Sequence, residues 1–152
     1  MKTIPALYVR NEVEGSAEYG FAMQIVRGEK QIETRGYAAP PKHLGKRIAI
    51  IATYKGKKKS QVIGTAILSE CKRYFNEGHF CEDFKEHRII SSSQYRWGST
   101  KKKYGWILEE VDTQSPVNWE IKNGGRVWTT AAIVPPNVKT LSSNTLERGN
   151  DR

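Results

Sequence analysis

Residues 27–37 read RGEKQIETRGY and carry five charged side chains and one tyrosine in eleven positions. The apolar pattern before them is helical, and Gly28 suits the end of that helix, where a left-handed residue is favoured. The residues that follow alternate as in an extended strand, so Glu33 and Arg35 share one face. The stretch therefore predicts a junction between a helix and a strand. At this junction the side chains of Lys30, Glu33 and Arg35 would lie together at the opening of a pocket.

These three side chains have two interpretations. Glu33 between two cations can hold Lys30 and Arg35 in fixed rotamers while each keeps donors free for a phosphate or carboxylate. A desolvated lysine beside a glutamate also suits acid–base chemistry, if burial shifts its pKa. By spacing alone, however, the stretch equally describes an ordinary surface ion pair worth about 0–1 kcal/mol.

The rest of the chain alternates strand patterns with short helical ones. Strands are predicted at residues 5–10, 31–37, 47–54, 61–74 and 104–111, with two further strand-like pieces beside the glycine pair at 124–125. Helices are predicted in the second half of 14–28 and at 79–87. Gly64 interrupts the strand at 61–74, which predicts a bulge or a close backbone approach. Together these elements indicate an α+β fold, a small and partly closed mixed barrel.

The domain organisation is predicted from the position at which the chain changes from mixed apolar and polar residues to an almost entirely polar sequence. Residues 1–134 are expected to form one domain, and residues 135–152 a polar tail that has little to bury and is expected to be flexible. No apolar run approaches membrane-spanning length, and the start of the chain lacks the apolar region of a signal peptide. Cys71 and Cys81 suggest free thiols in a reducing cytoplasm. The sequence does not indicate an oligomeric state.

Basic residues are in excess, 25 against 16 acidic ones, for a formal charge of +9. Such an excess favours an anionic partner, above all nucleic acid. Two runs carry much of it: Lys55, Lys57, Lys58 and Lys59 after the strand that ends at Thr53, and Lys101, Lys102 and Lys103 before Tyr104. Lysine runs flanked by aromatic rings suit single-stranded nucleic acid, although such runs also serve as solvated turns.

A metal site is not predicted. Cys71, His79, Cys81 and His87 lie within seventeen residues, but they show neither a Cys-x-x-Cys pair nor helical His-x-x-x-His spacing. The sequence also contains no phosphate-binding Gly-rich loop and no nucleophile elbow.

The order of several motifs resembles the activating-signal-cointegrator homology (ASCH) family, which belongs to the PUA-like β-barrels. The matching positions are Gly28, Lys30, Glu33, Arg35, Tyr37, Gly45, Ala52 and Thr53, then Gly105 and Trp106, and finally Val127 and Trp128. The resemblance spans roughly residues 19 to 134 and departs at Gly20–Phe21, where family members often carry Pro-Trp. It implies a PUA-like mixed pseudo-β-barrel with flanking short helices.

The resemblance also implies a cleft, lined by Lys30, Glu33 and Arg35, that receives RNA or a modified base. We therefore expect a protein that binds RNA or single-stranded DNA and has no membrane partner. Lys30 and Arg35 would contact phosphate, Glu33 would orient them or bond a base edge, and Tyr37 would stack on a base. The predicted interface also includes Thr53, Lys55, Lys57, Lys58, Lys101, Lys102, Lys103 and Tyr104.

A hydrolase is the alternative that the resemblance leaves open. In a ribonuclease, Glu33 would act as base while Lys30 and Arg35 stabilise a phosphorane. Another branch resembles an acetylcytidine amidohydrolase, which uses a lysine, a threonine three positions later and a distant glutamate. Here Glu33 holds the threonine's place, and Thr34 is expected on the opposite strand face. No cofactor is expected, with a divalent metal left open for a nuclease. A third alternative is a protein-interaction module whose basic surface only aids solubility.

Overall fold

The computed structural model describes residues 2–56, 59–98, 101–121 and 127–133. Within these ranges the chain forms six strands and three short helices, so the predicted α+β class is confirmed. The elements are β1 Lys2–Arg10, α1 Phe21–Val26, β2 Ile32–Arg35, β3 Lys46–Thr53, β4 Ser60–Tyr74, α2 Glu77–Glu82, α3 Phe84–His87, β5 Lys103–Trp119 and β6 Trp128–Ile133. A 3₁₀ turn at Pro41–His43 precedes β3.

All six strands join one mixed sheet in the order β2-β5-β4-β3-β1-β6. β1 pairs with β3 in parallel, and every other neighbouring pair is antiparallel. Parallel neighbours need a long crossover connection, and here α1 and β2 lie within it. In the described part of the chain, β2 and β6 are the outer strands, so the sheet is open and not a closed barrel.

The sheet nevertheless curls, because side chains from distant strands meet. The ring of Trp106 on β5 stacks on that of Trp128 on β6, with centroids 5.9 Å apart, although three strands separate them in the sheet. At the other side of the curl, the Arg35 guanidinium on β2 donates to the Tyr8 carbonyl on β1 across 2.8 Å. These contacts give the open sheet the partly closed shape that the sequence predicts.

The main core lies between the curled sheet and α1. Residues 48–52 of β3 are fully buried, as their unbroken apolar run predicts. Phe21, Ala22 and Ile25 of α1 pack in the same cluster, together with Trp106. Trp106 is fully buried, while Trp128 is half-buried against the cluster.

Two glycines hold positions that a side chain would disturb. Gly28 has a φ of 80°, the left-handed conformation expected just after α1, and its N–H bonds the Ile25 carbonyl. A Cβ on Gly64 would collide with the Asp112 carbonyl and with Val26 of α1. The pairing of β4 with β5 shifts register beside Gly64, so the predicted bulge and the close approach are both present.

Two predicted elements differ from the structure. β5 extends to Trp119, well beyond the predicted end at residue 111, because its second half pairs with the start of β4 while many of its side chains face solvent. Exposure removes the apolar alternation that marks a strand. The predicted helix at 79–87 divides at Asp83 into α2 and α3, so Phe80 is buried while Phe84 is 48% exposed.

Cys71 is half-buried and Cys81 exposed, and both are free thiols as predicted. The glycine pair at 124–125 and the predicted tail at 135–152 lie outside the described residues. No helix in the described ranges has the length and apolar character needed to cross a bilayer.

Candidate nucleic-acid interface

A cleft of about 490 Å³ opens where β1, β2 and β3 end and β5 begins. Its walls therefore come from the outer strand β2 and from the parallel pair β1 and β3, the two sides of the curl that Arg35 bridges. The residues that line it are Tyr8, Val9, Arg10, Phe21, Glu33, Thr34, Arg35, Gly36, Thr53, Tyr54, Lys55, Ile89, Tyr95, Lys103, Ile121 and Val127.

Arg35 is fixed in this cleft by partners on two strands. Its Nε and Nη2 each lie 2.9 Å from Glu33 Oε2, and Nη2 also donates to the Tyr8 carbonyl. Burial lowers the pKa of Arg35, but Glu33 and the Tyr37 hydroxyl outweigh that effect and raise the pKa overall. The side chain stays 16% exposed, so a charged guanidinium of fixed orientation reaches the cleft.

Lys30 lies on the other side of Glu33, beneath the cleft. It precedes β2, and its side chain runs inward until only 1% is exposed. Nζ donates to the His87 carbonyl and lies 3.9 Å from Glu33 Oε1. Burial lowers the pKa of Lys30 to about 8, although Glu33 opposes the shift. Lys30 therefore supports Glu33 from below and is not part of the cleft wall.

His87 lies beside Lys30 in the same buried region and is held in one neutral tautomer. Nδ1 accepts from the Ile89 N–H at 2.9 Å, which leaves the proton on Nε2 to be donated to the Phe80 carbonyl at 2.8 Å. Burial lowers the pKa of His87, as does its neighbour Lys30. Since the imidazole is neutral, Lys30 meets an uncharged partner on this side and depends on Glu33 for its counter-charge.

The cleft lining carries four basic side chains, Arg10, Arg35, Lys55 and Lys103, against one acidic side chain, Glu33. Arg10 is partly offset by Glu12, which lies 3.1 Å away. Lys103 Nζ donates to the Tyr95 carbonyl at 2.6 Å, and burial lowers its pKa with help from Lys101.

Aromatic rings stand among these cations. Tyr54 follows β3 and receives a hydrogen bond from Asn11 Nδ2 at 3.1 Å on its hydroxyl. Tyr95 packs edge-on against Phe21 of α1, with ring centroids 5.9 Å apart, and burial raises its pKa. Ring faces beside cations offer the two contacts that an unpaired nucleotide takes, stacking for its base and charge for its phosphate.

No protein-family model and no curated protein matches the sequence. Solved structures do match, with probability 1.00. A serine-to-alanine variant of an ASCH protein from Zymomonas mobilis is 26% identical over 75% of this chain and 72% of its own, with a TM-score of 0.57. A tyrosine-to-phenylalanine variant of that protein is 22% identical over 93% and 98%, and the ASCH structure itself 20% identical over 95% and 96%, both with a TM-score of 0.58.

The chain has an ASCH-type fold. The resemblance seen in the motifs at residues 28–37 is therefore confirmed at the level of the fold, and the open α+β sheet with short helices in this chain is consistent with that fold.

On this ASCH-type fold, the predicted interface residues divide into four groups. Glu33, Arg35, Thr53, Lys55 and Lys103 line the cleft. Tyr37, Tyr104, Lys101 and Lys102 lie beside it: Tyr37 is 45% exposed with its ring edge-on to Trp106, Tyr104 pairs with Arg35 on the neighbouring strand, and the two lysines are exposed just before β5 or at its edge. Lys30 lies beneath the cleft, and Lys57 and Lys58 fall outside the described residues.

Several cleft residues escape sequence reasoning. Arg10, Tyr54 and Tyr95 reach the cleft only because β1 and β3 end side by side and the loop before β5 folds over them. Tyr54 stands between Thr53, which belongs to the motif, and Lys55, which begins a lysine run, so its position in the chain could have indicated it. Thr34 faces away from Glu33 on β2, opposite Gly105, as expected, yet it also borders the cleft at this outer strand.

Within the part of the chain that the structure describes, no three His, Cys, Asp or Glu side chains converge in the way that a metal ion requires.

Proposed function

We propose that the cleft binds single-stranded nucleic acid, RNA or single-stranded DNA. The observation that carries the proposal is the convergence of Arg35, Lys55 and Lys103 with the rings of Tyr54 and Tyr95 in one cavity of about 490 Å³. A cavity of this size suits one small ligand or one unstacked nucleotide. Cations supply most of the affinity for a phosphate backbone, and ring faces accept any base.

Arg35 is the residue we assign to phosphate. A guanidinium has five N–H donors, and the bonds to Glu33 and to the Tyr8 carbonyl leave donors for a phosphate oxygen. Because those bonds already fix its orientation, little side-chain entropy is lost on binding. Lys55 and Lys103 add positive charge at the entrance, and Glu33 serves to hold Arg35.

Lys30 has an indirect role in this proposal. Its ammonium group is buried below Glu33 and bonds the His87 carbonyl, so it does not meet a ligand in the cleft. It keeps Glu33 in place, and Glu33 keeps Arg35 in place. The ASCH-type fold and the motif resemblance favour RNA as the ligand class.

A binding titration with matched arginine variants tests the proposal. We expect Arg35→Gln to weaken binding of a fluorescent single-stranded RNA about tenfold or more, since a charged hydrogen bond contributes about 1.5–3 kcal/mol. Arg47→Gln is the control, because Arg47 also bonds a side chain and a carbonyl but on the opposite end of β3. Equal affinity of the two variants would place binding outside the cleft.

A ligand panel at several salt concentrations separates this function from a protein-interaction module. Single strands are expected to bind more tightly than duplexes, because bases must be unstacked to meet Tyr54 and Tyr95. Affinity should fall as salt rises, with a slope of about −0.7 per phosphate contact in a single strand. An interaction module would show no salt-dependent affinity, and the RNA and DNA arms show which polymer is preferred.

One observation favours a second candidate, a hydrolase: the buried Lys30 with its lowered pKa lies against Glu33, and Glu33 lines the cleft. Perturbed titratable pairs in clefts are common at active sites. In a ribonuclease, Glu33 would take the proton of an attacking hydroxyl and Arg35 would neutralise charge on the phosphorane.

Glu33→Gln separates catalysis from binding. If the protein is a hydrolase, the variant loses turnover of labelled single-stranded RNA to a far greater extent than it loses affinity. Circular dichroism verifies that the variant is folded, and assays with and without a divalent metal cover both forms of nuclease. Intact RNA after long incubation with the unsubstituted protein at high concentration would exclude the ribonuclease.

A further inference from the structure

A row of side chains leads out of the cleft across three neighbouring strands. Arg35 on β2 pairs with Tyr104 on β5, and Tyr104 pairs with Arg73 on β4. Residues directly opposite each other on neighbouring strands point to the same face, so the three side chains share one face. With strands about 4.8 Å apart, the row spans about 10 Å from Arg35 to Arg73.

Phe75 stands at the far end of this row. It lies two positions after Arg73, just beyond the end of β4, and 69% of the residue is exposed. The Arg73 guanidinium lies 5.0 Å from the centre of the ring, and the His79 ring is parallel to it at 6.4 Å. A phenylalanine this exposed gains little from the fold, but its ring is held at a fixed place on the surface.

Arg73 has no carboxylate partner in the described part of the chain. No carboxylate there lies within 4.0 Å of Arg73, nor of Arg88 or Arg96, whereas Arg10, Arg27, Arg35 and Arg47 each have one that close. The exposed guanidinium, which lies over the Phe75 ring, is therefore not neutralised by a carboxylate in that part of the chain. Cations alternating with rings are the surface that a single strand follows.

Tyr37 lies between the cleft and the row of side chains. Its ring is 45% exposed and leans edge-on against the buried Trp106, which lies two positions after Tyr104 on β5. Its hydroxyl interacts with Arg35. We call the five side chains Arg35, Tyr37, Tyr104, Arg73 and Phe75 the strand-end track.

We propose that a single strand held in the cleft continues over the strand-end track to Phe75, so that the ligand is a polynucleotide of several nucleotides and not a lone nucleotide or nucleoside. This inference rests on the proposed function, since Arg35 belongs to both the cleft and the track. In this arrangement Arg73 contacts a phosphate and Phe75 stacks on a base.

Length-dependent binding tests the track. The double variant Arg73→Gln with Phe75→Ala should bind a single strand of about 12 nucleotides about tenfold more weakly, since one base stack contributes about 1–3 kcal/mol. Its affinity for a dinucleotide, which the cleft alone holds, should stay within about twofold of the unsubstituted protein. The salt dependence for the long strand should lose about 0.7 in slope from the missing phosphate contact.

The control removes the same groups elsewhere: Arg27→Gln with Phe84→Ala also deletes one exposed cation and one exposed ring. It should bind both ligands as the unsubstituted protein does. If the track variant and this control bind the long strand equally, the track is refuted while cleft binding stands. If the unsubstituted protein binds neither ligand, the proposed function fails and the track with it.

Discussion

Glu33 has a cation on either side, and the two lie in opposite surroundings. Lys30 is 1% exposed and contacts the His87 carbonyl, whereas Arg35 is 16% exposed and faces the cleft. A compact ammonium group loses much hydration on burial, which explains its lowered pKa, while a planar guanidinium keeps its charge with its donors satisfied. One short motif thus provides a buried cation below the cleft and a partly exposed cation in its wall, which we assign to phosphate.

The largest expected effect comes from removing the acid that both cations share. Glu33→Gln should lower the free energy of unfolding by about 3 kcal/mol at pH 7, because Lys30 then stays buried without its counter-charge. Urea denaturation measures the change. Glu29→Gln is the matched control: Glu29 lies 2.9 Å from Arg27 in an exposed pair, and its loss should cost less than about 1 kcal/mol. Equal losses of unfolding free energy in the two variants would mean that the burial of Lys30 below Glu33 does not add to the contribution of this ion pair to stability.

The pH dependence of stability isolates Lys30. The pKa of Lys30 is about 8 in the folded protein, against 10.5 for an ordinary lysine, so below pH 8 both states hold the proton and the full cost of burying the charge is present. Between pH 8 and 10.5 the unfolded chain holds more protons, so stability rises with pH. Relative to Lys30→Met, the unsubstituted protein should gain about 2 kcal/mol between pH 7 and 10, since one pKa unit corresponds to about 1.4 kcal/mol. Parallel curves for the two proteins would contradict a buried charged lysine.

The smallest expected effect concerns the entrance of the cleft. Lys103→Gln should weaken single-stranded RNA binding about threefold and lower the salt slope by about 0.7, the share of one phosphate contact. Lys46→Gln is the comparison, since Lys46 is exposed at the start of β3, away from the cleft. A larger loss for Lys46 would move the interface to the other end of the sheet.

The sequence predicts the parts of this molecule that depend on local patterns. The apolar run of β3, the helix before Gly28 and the irregularity at Gly64 follow from periodicity and backbone preference, and the structure has all three. The spacing from Lys30 to Arg35 also predicts that these charges meet around Glu33, as they do.

The remainder depends on contacts between distant residues. The carbonyl that accepts the hydrogen bond of the buried Lys30 ammonium group belongs to His87, 57 positions later in the chain. The spacing of residues around Lys30 therefore cannot reveal that Lys30 is buried. Tyr95 reaches the cleft through the loop before β5, whose polar sequence shows no periodicity. The second half of β5 lacks alternation because it faces solvent, which hides a strand that pairing alone establishes.

Cross-linking tests most directly whether the cleft is the nucleic-acid site. Ultraviolet cross-linking of a labelled oligouridine strand to the protein, followed by peptide mapping, locates the rings that touch bases. We predict cross-links at Tyr54 and Tyr95, the two tyrosines of the cleft that stand among its cations, and their loss in Arg35→Gln. Cross-links confined to peptides away from the cleft, such as residues 41–47 before and at the start of β3, would contradict the assignment.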